Sequence, residues 1–162
     1  MSEFIFNLQR FAKISNSTSD TLVSGTSAAD TISNEGNLVT IKGGAGNDSI
    51  FSSTNPNSSL ATDDNTGGYG YVTIDAGAGN DTIVSSDPHV SINGGAGNDS
   101  IYSYAWNYVT ISGGTGDDTI STNDAPSVLF KYSSGDGNDL IEGFTESSTL
   151  SISAAISAAM LS

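Results

Sequence analysis

The sequence predicts an all-β fold: a parallel β-roll, or β-solenoid, of about six coils with equivalent loops stacked along one edge. Two repeating patterns predict it. A Gly- and Asp-rich element recurs along the chain, and a short Val/Ile pattern falls between successive recurrences. Composition is the third observation. Apolar residues make up only 36% of the chain, yet they are placed at regular intervals, and a charged fraction of 14% is low for a disordered chain.

The Gly/Asp element has five intact copies, at 43–50 (GGAGNDSI), 76–83 (AGAGNDTI), 94–101 (GGAGNDSI), 113–120 (GGTGDDTI) and 134–141 (SGDGNDLI). A degenerate copy at 25–32 (GTSAADTI) keeps Asp30 and Ile32. Starting positions 25, 43, 76, 94, 113 and 134 give steps of 18, 33, 18, 19 and 21 residues. The second element is Val39-Thr40-Ile41, Val72-Thr73-Ile74, Val90-Ser91-Ile92, Val109-Thr110-Ile111 and, more loosely, Leu150-Ser151-Ile152. Each unit therefore reads as loop, short strand, turn, short strand, with apolar and small polar residues alternating as a half-buried strand requires.

One unit is one coil, and coils stack in parallel register. The strand after each loop points Ile32, Ile50, Ile83, Ile101, Ile120 and Ile141 inward, and the return strand does the same with its Val and Ile. At ~4.8 Å per coil the stack is on the order of 30 Å long. The 33-residue step holds one coil plus an insertion at about 54–69, whose Pro, Asn, Ser, Asp and Gly content reads as a surface loop. Shorter turns close other coils, as at Ser86-Asp87-Pro88-His89 and Thr122-Asn123-Asp124-Ala125-Pro126. His89, the single histidine, is expected to be a solvated turn residue.

The loops carry the chemistry. Glycine permits positive φ and close backbone approach. A tight loop of this kind turns several carbonyl oxygens one way, and the Asp at its sixth position adds a carboxylate. Stacked loops then enclose all-oxygen cages, suited to a hard cation with 6–8 ligands, hence Ca²⁺ over Mg²⁺ or Zn²⁺. Net charge points the same way: 18 acidic and 4 basic residues give −14, which favours cations and disfavours nucleic acid. With no Cys there is neither a disulfide framework nor a thiolate metal site.

These loops resemble the RTX (haemolysin-type) calcium-binding nonapeptide repeat, GGxGxDxUx, over roughly residues 25–153. The resemblance implies a β-roll that folds with calcium, about four or five ions lying between loops. It implies as ligands the carboxylates of Asp48, Asp81, Asp99, Asp118 and Asp139. With them come backbone carbonyls of Gly43 and Ala45, Ala76 and Ala78, Gly94 and Ala96, Gly113 and Thr115, and Ser134 and Asp136, with Asp30 at a weaker edge site. Two departures stand out. The loops lie on one side of the roll only, and Ala76 and Ser134 replace the first glycine. The resemblance also implies an extracellular or bacterial cell-surface location, reached by a type I-like route. The chain's start has neither the basic residues nor the apolar run of a Sec signal, and no stretch approaches the length of a transmembrane helix.

Residues 1–24 are expected to form an N-terminal capping or assembly segment, 25–153 the roll, and 154–162 a C-terminal apolar tail. Phe4, Leu8 and Phe11 fit a helix, while Phe4, Phe6 and Leu8 fit a strand. The final stretch, 150–162 (LSISAAISAAMLS), suits a secretion signal, a last coil or a polymer contact. No catalytic constellation is found, so an enzyme is not expected. The leading expectation is a calcium-stabilised structural or surface protein that assembles end to end into a filament, through its two ends. The alternatives are a ligand- or ice-adsorbing face built on the outward row Thr40, Thr73, Ser91 and Thr110, which breaks at Lys131, and a stand-alone secretion or folding module.

Overall fold

A computed structural model describes residues 12–54, 71–105, 108–123 and 125–153. Every regular element among them is a strand, and all pairings are parallel. One seven-stranded sheet contains, in order, β1 (Lys13–Asn16), β3 (Thr31–Asn34), β5 (Ser49–Ser52), β7 (Thr82–Ser85), β9 (Ser100–Ser103), β11 (Thr119–Ser121) and β13 (Leu140–Glu142). The other contains β2 (Leu22–Ser24), β4 (Val39–Ala45), β6 (Val72–Ala78), β8 (Val90–Ala96), β10 (Val109–Thr115), β12 (Val128–Ser133) and β14 (Thr149–Ser153). Each even strand, its loop and the following odd strand make one coil. Six such coils stand between β1 and β14, and the chain is the β-solenoid its repeats predict.

Inward-facing residues form continuous apolar columns. Ile32, Ile50, Ile83, Ile101 and Ile120 are buried in one sheet, with Ile14 and Ile141 partly buried at its ends. Facing them, Val23, Ile41, Ile74, Ile92, Ile111 and Phe130 fill the other sheet. The alternating burial of β4, β6, β8 and β10 is the period-2 pattern that orients a strand over a core.

Several sequence expectations need correction. The stack begins at β1, inside the stretch assigned to a cap, because Ile14 takes the place of Ile32 and Val23 that of Ile41 without any glycine loop to announce them. The even strands run seven residues in four of the coils, through the first three loop positions, because small residues there let backbones pair. The outward row ends differently too: Thr110 pairs with Leu129, whereas Lys131 pairs with Ser112 in the adjacent row. His89 is not solvated but 6% exposed, packed between two tyrosine rings. The N-terminal aromatic segment, nearly all of the insertion and the 154–162 tail lie outside the described residues.

The edge away from the loops is closed by polar side chains that turn inward. Asn34, Ser52, Ser85, Ser103 and Thr122 are all buried, one per coil. Asn16 Nδ2 donates to Asn34 Oδ1 at 2.7 Å, and Asn34 Nδ2 donates to Ser52 Oγ at 3.1 Å. Further along, Asp87 accepts from the Thr54 amide at 2.7 Å and from Ser85 Oγ at 2.9 Å. These bonds satisfy turns that the apolar columns cannot.

Candidate metal centre

The loop edge is built by two backbone features. The second and fourth loop positions are glycines at positive φ in all five intact loops, for example 114° at Gly44 and 103° at Gly46. Few other residues adopt this conformation without strain. Where the first position is glycine, there is no room for a side chain. A Cβ on Gly43 would collide with Asp48 Oδ2 and the Ala76 carbonyl, and one on Gly94 with Asp99 Oδ2 and the Gly113 carbonyl. Carboxylate and carbonyl oxygens from neighbouring coils therefore converge just inside the first glycine.

The sixth-position aspartates form a ladder. The amide of Asp30 donates to Asp48 Oδ1 at 2.8 Å, that of Asp48 to Asp81 Oδ1 at 2.7 Å, and that of Asp81 to Asp99 Oδ1 at 2.8 Å. Asp99 donates to Asp118 Oδ1 at 2.8 Å, and Asp118 to Asp139 Oδ1 at 3.1 Å. Asp48, Asp81, Asp99 and Asp118 are each at most 2% exposed. In all four the second oxygen, Oδ2, is buried without any hydrogen-bond partner. A buried carboxylate oxygen left unpaired is costly, so a repeated one signals an absent partner. A cation is the partner that fits, since the surrounding groups are oxygens.

The proton affinities reflect the same crowding. Burial pushes Asp48 up to about 6, reinforced by the charges of Asp81 and Asp30 and opposed by the Asp30 amide. Burial likewise pushes Asp99 up to about 7, with Asp81 and Asp118 adding to the shift and the Asp81 amide opposing it. Asp81, Asp118 and Asp139 are raised, chiefly by burial.

The expected site residues do not all sit alike. Asp30 has both oxygens engaged: Oδ1 accepts from the Ala12 amide at 2.5 Å and Oδ2 from the Thr26 amide at 2.5 Å. Its loop is closed by its own side chain. The third-position carbonyls of Ala78, Ala96, Thr115 and Asp136 already accept amides from Gly46, Gly79, Gly97 and Gly116, at 2.6–2.8 Å. Ser134 is exposed, and Asp136 Oδ2 accepts from the Ser133 amide at 2.6 Å. In the same loop the Tyr132 hydroxyl donates to the Gly137 carbonyl. No three acidic or imidazole side chains converge among the described residues, so backbone carbonyls must supply much of any coordination shell.

Sequence reasoning missed a second ladder at the fifth loop position. The amide of Asn80 donates to Asn47 Oδ1 at 2.9 Å, Asn98 to Asn80 at 2.9 Å, Asp117 to Asn98 at 3.0 Å and Asn138 to Asp117 at 2.9 Å. The recurrence of Asn or Asp there was its visible signal.

No curated protein and no solved structure matches the chain. The family model for the RTX calcium-binding nonapeptide repeat matches in four copies, at residues 39–54, 62–87, 90–105 and 110–125. With its register, loop conformation and aspartate ladder, the chain belongs to the RTX calcium-binding nonapeptide repeat family.

Proposed function

We propose that this chain is an extracellular structural or surface protein whose folding is driven by Ca²⁺. One observation carries the reading: four buried Oδ2 atoms, of Asp48, Asp81, Asp99 and Asp118, lack partners at equivalent places in successive coils. On this reading four ions bind. Each is held by one of these carboxylates and by carbonyls of adjacent loops, the first-position carbonyls of Ala76 and Gly113 lying next to Asp48 and Asp99. Asp139 completes the last gap, and Asp30 binds none. A bound ion removes repulsion between stacked acidic loops, so its binding free energy becomes folding free energy. Circular dichroism in chelator and in millimolar Ca²⁺ tests this: the expected change is from largely unfolded to β. Identical spectra would reject it.

The same reading extends to end-to-end assembly. β14 carries exposed Leu150 and Ile152, at 46% and 61%, in register with the buried Phe130 and partly buried Tyr132 of β12. Apolar side chains there suit another coil stacked on top. Electron microscopy at high Ca²⁺ should show filaments. Monodisperse particles would leave a stand-alone folding or secretion module.

A further inference from the structure

The outer face of the even-strand sheet holds a trough unrelated to the loop edge. One wall is a row of three rings from consecutive coils. His89 lies 4.7 Å from Tyr108, nearly parallel to it, and 5.1 Å from Tyr71. The tyrosines are 68% and 61% exposed, while His89 between them is buried. The floor is the outward row Thr73, Ser91 and Thr110, in register across β6, β8 and β10. The trough continues past Leu129 to Thr149. Among the described residues no Asp, Glu, Lys or Arg lines it, although the chain carries a net charge of −14.

We infer that this trough binds a neutral carbohydrate chain. A sugar ring has an apolar C–H face that packs on tyrosine and hydroxyls that pair with Thr and Ser. Other ligand classes fit less well. An anion is repelled by the overall charge, and a cation finds no carboxylate among the described residues of the trough. A purely apolar ligand would cover the hydroxyl floor without pairing it. A peptide added as a strand needs an open edge, and β6, β8 and β10 are paired on both sides. The two tyrosines make the wall, and His89 packs between them, stacked on Tyr108 and tilted against Tyr71. Its Nδ1 has no hydrogen-bond partner, so stacking fixes the ring rather than a bond at that nitrogen.

The inference does not depend on end-to-end assembly. Its test is calorimetric titration of the calcium-loaded chain with cellohexaose, laminarihexaose, mannohexaose and chitohexaose. Binding to at least one is expected. Affinity should fall at least tenfold in Tyr71→Ala and in Tyr108→Asn, since Asn tolerates the positive φ of 48° at that position. Ser91→Trp, which fills the exposed floor, should abolish binding. Unchanged circular dichroism in these variants separates lost binding from lost fold. Absence of heat with all four sugars, or unchanged affinity in all three variants, overturns the inference.

Discussion

At the scale of single residues, each ladder aspartate divides its work between two oxygens. In Asp48, Asp81, Asp99 and Asp118, Oδ1 ties one coil to the next, and Oδ2 is buried without a hydrogen-bond partner. Asp99→Asn keeps an Oδ1 acceptor and removes the charge, so equilibrium dialysis should count one Ca²⁺ fewer. Asp30→Asn should leave the count unchanged, because both oxygens of Asp30 already accept amide hydrogens. Space matters as much as charge. Gly94→Ala would put a methyl against Asp99 Oδ2 and should weaken calcium binding at that gap by at least tenfold. Ala76 already places a fully buried methyl at the equivalent position, so Ala76→Gly should tighten binding beside Asp81. The aspartates were legible in the sequence because they recur at a fixed place among glycines. The capture of Asp30 by Thr26 was not, because it depends on where a single backbone amide points.

At the scale of elements, alternation revealed the strands, but loop spacing misaligned one of them. The last two loops start 21 residues apart, whereas Val109 pairs with Val128, a step of 19. The two extra residues, Tyr132 and Ser133, fall at the end of β12, between Lys131 and the loop start at Ser134, so an alignment made on the loops puts Lys131 in the row that Leu129 occupies. The polar back edge was hidden for another reason. Buried Asn34, Ser52 and Ser85 resemble ordinary turn residues until their bonds across coils are seen. The apolar columns make a quantitative prediction. Ile83 is fully buried in the middle of its sheet, so Ile83→Ala should lower the stability of the calcium-loaded chain by ~2–5 kcal/mol, as read from denaturant midpoints.

At the scale of the whole molecule, stability without calcium should depend on pH in an unusual direction. The folded carboxyls hold protons more tightly than unfolded ones do, with Asp48 at about 6 and Asp99 at about 7. Protonation therefore favours the folded calcium-free chain, and that advantage is lost as pH rises from about 4, the unfolded aspartate value, through the folded values. Circular dichroism in chelator should show folded signal declining across this range, and a rise would contradict the burial of these groups. With Ca²⁺ the trend reverses, because protons compete for the same oxygens and affinity falls in acid. The two ladders along the loop edge add a further property. Aspartate amides always donate toward the later coil, and fifth-position amides always donate toward the earlier one. The stack thus has a polarity along its axis. Copies joined head to tail would keep that direction along a fibre, whereas a head-to-head pair would reverse it at the junction. Any fibre of this chain should be directional, with one end that grows differently from the other.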